Sequence, residues 1–204
     1  MTTSLQTPTL PPIPATEAAA KPVKSSSIKP LLLGLLILAA VFLVTYALAW
    51  YNADQLATRF FQDSEASFNN GDYLKALVGY QKFDDQTNKY INIGGYLNVE
   101  KIWSSSYSWP QPSYAQQAVK RSQEVIAQKL TVKEAEQYIQ ENTGRPGAPY
   151  FAEMYLRLGE LYEQNGDTKA AIDVYQSYPS QFPDRKDLIE QAQQHLAKLQ
   201  SLNK

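Results

Sequence analysis

From Leu31 to Trp50 the chain reads LLLGLLILAAVFLVTYALAW, twenty residues without a single charged side chain. As a helix rising about 1.5 Å per residue, such a run covers roughly 30 Å, the thickness of the hydrocarbon core of a bilayer. A helix satisfies its own backbone hydrogen bonds, so it is one of two structures able to cross lipid. Residues 31–51 are therefore expected to form a transmembrane helix. Lys21, Lys24 and Lys29 precede it against one acid, Glu17, whereas Asp54, Asp63 and Glu65 follow it against one base, Arg59. This asymmetry predicts an N-terminus in the cytoplasm and a C-terminal region on the outer side of a cytoplasmic (inner) membrane. Tyr46, Trp50 and Tyr51 gather at the far end, where amphipathic rings favour the headgroup level. Ala47-Leu48-Ala49 also fits a signal-cleavage triplet, so export after cleavage near Ala49 is the alternative; a leader of some thirty residues is long for that role. No ionisable group lies inside the run, and Gly34 has no glycine four residues away, so it reads as an anchor and not as a transport path or dimer seam.

Residues 1–30 hold six of the twelve prolines amid Thr, Ser and Ala, and are expected to be a disordered cytoplasmic tail, too poor in large apolar side chains to offset ordering entropy. Residues 52–204 carry 16 Lys and Arg against 19 Asp and Glu, a net of −3 that gives no nucleic-acid footprint. The 204 residues include no Cys and one His, which removes disulfides, thiol chemistry and Cys-type metal sites and leaves His-based sites short of material. His195 lies on a Gln- and Ala-rich stretch and reads as a surface or half-buried side chain. Asp84-Asp85 lacks a calcium-loop pattern and reads as a helix-end cap or solvated turn. Gly94-Gly95 precedes a helix without the Lys-Ser/Thr of a phosphate loop. No cofactor, metal or small-molecule substrate is expected, and no catalytic role.

Asn70-Gly71-Asp72 recurs as Asn165-Gly166-Asp167. Around the second copy, Tyr155, Leu158, Gly159 and Tyr162 fall at i, i+3, i+4 and i+7 and make one helical face. Gly166 then supplies a left-handed residue to end that helix, and Asp167 or Thr168 can cap the next, which carries Ala171, Tyr175 and Tyr178 before Pro183. Gly159 and Ala171 are small where the two helices should cross. A β-hairpin at the Asn-Gly pair would need period-two flanks, which are absent.

This pattern of aromatic, Leu-Gly, Tyr, Ala, aromatic and terminal Pro resembles the tetratricopeptide repeat family over 152–185. A second unit near 57–90, with Phe60, Ala66, Phe68, Gly71, Ala76, Tyr80 and Phe83, departs from the pattern at Asp63 and Ser64. A third is laid over 116–149 with Val119, Ile126, Ala135 and Ile139. The resemblance implies an all-α fold beyond the anchor: a short right-handed solenoid of seven or eight helices. The helix over 185–202, with Leu188, Ile189, Ala192, Leu196 and Leu199 on one face and Asp184 as N-cap, would cap it.

Carried onto this chain, the family's groove positions are Phe61, Glu65 and Phe68, then Lys120, Glu124 and Ala127, then Leu156, Glu160 and Glu163. Their net negative charge favours a neutral or basic protein segment over an acidic tail. Residues 91–112 interrupt the repeats. Tyr96, Val99, Ile102, Trp103 and Tyr107 there suggest a helical stripe ended by Pro110 and Pro112, and Trp103, Tyr107 and Trp109 form a second candidate contact. The layout is similar to that of bacterial anchored tetratricopeptide proteins, which implies a non-catalytic scaffold or, alternatively, a permanent accessory subunit of a membrane complex. The absence of Cys and of Asn-x-Ser/Thr sequons agrees with a bacterial envelope.

Overall fold

The computed structural model describes residues 28–105, 107–145 and 147–202. The expected tail over 1–30 lies almost wholly outside them. The chain divides into two compact units, Met1–Val44 and Thr45–Lys204. Among the described residues it is mostly helical.

Helix α1 (Ile28–Asn69) contains the whole uncharged run. Its large apolar side chains from Leu31 to Leu48 are exposed, and its best window has a mean hydropathy of 2.7, long and apolar enough to cross a membrane. No Gly or Pro interrupts residues 52–68, so nothing local stops the helix before Asn69.

Within the second unit the order is α2 (Tyr73–Val78), β1 (Tyr80–Asp84), β2 (Lys89–Ile93), α3 (Tyr96–Trp103) and α4 (Ser113–Glu124). A π-helical segment (Val125–Lys129) follows, then α5 (Val132–Asn142), α6 (Phe151–Gln164), α7 (Thr168–Gln181) and α8 (Lys186–Leu202). The main packing partners are α3 with α4, α5 with α6, α6 with α7, and α7 with α8. One core runs from Ala57 through Tyr96, Trp103, Val125 and Tyr138 to Leu161. A second joins Leu156, Tyr175, Tyr178, Leu188 and Ala192.

The helical pair α6/α7 is built as its residues dictate. Gly166 has φ +79°, and Asp167 Oδ1 accepts from the Ala170 amide at 3.1 Å. Ala171 is fully buried, and a Cβ on Gly159 would lie 2.6 Å from Cε1 of Tyr175, so the ring fills the space that glycine leaves. Leu158, Tyr175 and Tyr178 are buried, Tyr155 and Tyr162 half-buried, and Pro183 follows the end of α7. The turn over 130–131 needs no glycine: Thr131 and Glu134 form a reciprocal capping box. Val125 and Ile126 are buried, as is Ala135, with Val119 and Ile139 half-buried.

Three expectations are corrected. The all-α reading fails at residues 80–93, where two antiparallel strands pair Tyr80 with Ile93 and Asp84 with Lys89. The unit expected near 57–90 therefore has a second helix of only six residues, and Tyr80 and Phe83 are exposed strand residues instead of helix core. Gly79, at φ +74°, ends α2, and a Cβ there would fall 2.6 Å from the Gly94 carbonyl oxygen, so the hairpin closes on a glycine contact no other residue permits. Asp84 sits at the hairpin turn, accepting from the Thr87 hydroxyl and then the Gln86 amide, which hold its carboxyl below its ordinary range.

Second, α3 ends at Trp103, so Tyr107 is not part of the stripe of Tyr96, Val99 and Trp103. Among the described residues 104–105 and 107–112, the backbone of Tyr107, Trp109 and Pro110 is bonded to side chains elsewhere. Third, α8 starts at Lys186, and its first turn closes on the carbonyl of Arg185, not on Asp184.

Candidate partner-binding groove

The residues expected to face a partner are largely engaged within the chain. Phe61 packs against Tyr96 and Tyr114, with ring centroids 5.9 and 5.8 Å away. Glu65 accepts from the Tyr96 hydroxyl at 2.5 Å and from Arg121 Nε at 3.0 Å. Arg121 also donates to Glu124 at 2.8 Å and stands 4.4 Å over the ring of Phe68. The Glu124 bond, against some loss from burial and with help from Glu65, pushes the Arg121 guanidinium above its already high range. Burial, then the bond to Glu65, pushes the Tyr96 phenol far up. A guanidinium shared by two carboxylates and an aromatic face is a strong, oriented contact. Arg121 carries this cluster, and no feature of the sequence near Glu65 points to a partner 56 positions further on. Lys120 remains exposed.

At the other end, Glu160 accepts from Arg157 at 2.7 Å. Glu163 meets three groups: Lys198 Nζ at 2.8 Å, His195 Nδ1 at 2.8 Å and the Tyr175 hydroxyl at 3.2 Å. Burial alone would raise the Glu163 carboxyl, but the bonds from Lys198 and His195 outweigh it and hold it below the ordinary range. His195 also stacks on Tyr175 at 5.2 Å. The histidine thus has a carboxylate partner, and both are used to fasten α8 to the α6/α7 pair. Among the described residues no three His, Asp or Glu side chains gather as metal ligands.

An open slot of about 270 Å³ remains between the π-helical segment, α6 and α8. Ile126, Leu156 and Leu188 line it, each less than a tenth exposed, while Glu153, Arg157 and Glu160 supply its charged lining. Ala127 and Gln123 open onto it as exposed residues. The structure thus brings Leu156, Glu160 and Ala127 together, and leaves Phe61, Glu65 and Phe68 in a separate cluster around Arg121. The π-helical turn, which directs Ile126 and Ala127 toward α6, had no sequence signal; such turns often mark functional positions. Of the second candidate contact, Trp103 is buried, 5.8 Å from Trp50, whereas Tyr107 and Trp109 are exposed.

In comparisons with protein-family models, with curated proteins and with solved structures, the chain finds no match.

Proposed function

We propose that the chain is a membrane-anchored, non-catalytic adaptor. Residues 31–51 span a cytoplasmic membrane with the N-terminus inside, and a tetratricopeptide-like helical stack on the outer side holds a protein partner. The observation that carries the reading is the slot: apolar side chains from three separate elements line an opening edged by Glu153, Arg157 and Glu160. Such an opening suits one apolar side chain of an extended neutral or basic segment, although both glutamates at its edge already accept from arginines of the chain, Glu153 from Arg185 and Glu160 from Arg157, each at 2.7 Å. The pairing of Glu160 with Arg157 and of Glu163 with Lys198 weakens the acidic field expected from sequence, so apolar fit does more here than charge.

A photocrosslinking residue at Gln123 or Ala127 tests this in the full chain. Adducts with a defined protein from these positions, and none from Lys169 on α7, support the adaptor. Ala127→Trp should fill the slot and abolish the adducts formed from Gln123 without changing the melting temperature. Equal adducts from Lys169, or none at Ala127, would remove the groove.

The hairpin favours a second reading, an accessory subunit built permanently into a membrane complex. Phe83, Tyr90 and Ile91 are exposed there, with Phe83 and Tyr90 stacked edge to face at 5.2 Å. A fixed-stoichiometry band in native electrophoresis of detergent extracts would select the subunit; exchangeable association would select the adaptor.

A further inference from the structure

The connection from α3 to α4 is pinned from two sides. The Tyr46 hydroxyl lies within hydrogen-bond reach of the Tyr107 and Trp109 carbonyls, at 2.8 and 2.5 Å, and of the Trp109 amide at 3.3 Å. Trp50 Nε1 donates to the Pro110 carbonyl at 2.9 Å. From the other side, Gln111 Nε2 donates to the Trp103 carbonyl at 2.8 Å and Ser108 Oγ to that of Ile102 at 3.4 Å. Fixing the backbone this way fixes which side chains face out. They are Tyr107, 85% exposed, and Trp109, 75% exposed. Burying rings of this size is among the largest apolar gains a side chain offers. A pinned loop that turns two of them outward holds them for something other than its own core.

The geometry points to the headgroup layer of a lipid bilayer as what covers Tyr107 and Trp109, making this loop an interfacial seat beside the anchor. Two observations select lipid over protein. The side chains that hold the loop, Tyr46 and Trp50, belong to the uncharged run itself. On the reading that this run crosses a bilayer, on which the inference rests, they mark the last turn of the crossing, and a backbone bonded to them shares their depth. In addition, the sequence from Ile102 to Val119 contains no charged residue, and between these two aliphatic ends it holds only aromatic, hydroxyl, amide and small side chains with two prolines. That composition suits the boundary between ester groups and water, where Tyr and Trp are enriched. Loop carbonyls also give Tyr46 and Trp50 the hydrogen-bond partners that their polar atoms need at such a boundary.

The chain has no cysteine, so single cysteines can be labelled with a nitroxide without further change. The full chain carrying Tyr107→Cys, Leu38→Cys or Lys169→Cys is reconstituted in vesicles of phosphatidylethanolamine and phosphatidylglycerol. Collision of each label with oxygen and with a water-soluble nickel chelate is then measured. The seat predicts chelate collision at Tyr107 several-fold below that at Lys169, with oxygen collision between those at Lys169 and Leu38. Chelate access at Tyr107 equal to that at Lys169, with Leu38 shielded, overturns the seat, keeps the anchor, and leaves the two rings to a protein partner. A Leu38 label open to the chelate overturns the anchor and the seat with it.

Discussion

The two Asn-Gly-Asp turns make nearly the same backbone bonds, although only Asp167 caps the next helix with its side chain, and they lead to different structures. The amides of Asn70, Gly71 and Asp72 donate to the carbonyls of Ala66, Phe68 and Ser67 at 3.1, 3.0 and 2.9 Å; those of Asn165, Gly166 and Asp167 donate to Leu161, Glu163 and Tyr162 at 3.0, 3.1 and 2.9 Å. Asp72 and Asp167 share backbone angles, φ −82° and ψ 64° against φ −81° and ψ 69°. Ala76 and Ala171, five residues past the glycines, are both fully buried. Yet α7 runs for 14 residues, while α2 stops after six and gives way to a hairpin. A turn therefore sets the entry of the next helix and not its length. Length is decided further on: Gly159 admits the ring of Tyr175 in the second copy, where the first has Ser64 and, in place of Val174, the left-handed Gly79.

The sharpest way to break this contrast is at Tyr175, 1% exposed and in contact with Gly159. Tyr175→Ala should cost about 3–5 kcal/mol, the usual range for removing a large buried ring. Thermal unfolding of the detergent-solubilised chain, followed by circular dichroism, would show it. A shift of only a degree or two would mean that the ring does not hold α6 to α7. Next comes Gly79→Val, which combines a β-branched residue at φ +74° with a Cβ 2.6 Å from the Gly94 oxygen. It should cost roughly 2–4 kcal/mol. An unchanged melting temperature would place the end of α2 elsewhere.

How much of this could be read in advance follows the same divide. The α6/α7 pair was legible because Tyr155, Leu158, Gly159 and Tyr162 repeat with helical period and Gly166 punctuates them. The hairpin was not, because Tyr80 and Phe83 keep the helical i, i+3 spacing that the repeat pattern leads one to expect there. The signal against a helix was local: Tyr90, Ile91 and Ile93 favour strands, and the segment is bracketed by Gly79 and Gly94-Gly95. The acidic side chains expected to face a groove were legible in composition, but their partners within the chain were not: Arg121 holds Glu65 and Glu124, Arg157 holds Glu160, and Lys198 holds Glu163. Long-range pairings of that kind carry no periodicity.

Acid should separate the two copies. Glu163 of the second corresponds by spacing to Phe68 of the first, whose ring lies against Arg121 and has no titratable group of its own. Glu163 titrates lower in the folded chain than its ordinary value of 4.5, so its contribution is complete above that value and is lost as pH falls through the lowered one. Its side chain is 15% exposed while its partner Lys198 is 63% exposed, so the stabilisation is modest. We expect Glu163→Gln to cost roughly 1–2 kcal/mol near neutral pH and the difference from wild type to shrink in acid. Hydrogen exchange should show α8 loosening on acidification while α2 keeps its protection. Equal loosening of both would mean that Glu163 is not what fastens α8.

The smallest effect belongs to Tyr80, which stands at the same distance from Gly71 as Tyr175 does from Gly166. Its side chain is 43% exposed on β1, paired by backbone with Ile93, and no third strand adjoins the ribbon among the described residues. Little apolar surface is lost on truncation, so Tyr80→Ala should change stability by no more than about 0.5 kcal/mol. The contrast between Tyr175→Ala and Tyr80→Ala is therefore a direct reading of what each second helix does. If Tyr80→Ala proved as costly as Tyr175→Ala, Tyr80 would have to be a core residue, α2 would extend past Gly79, and the two copies would be one structure after all.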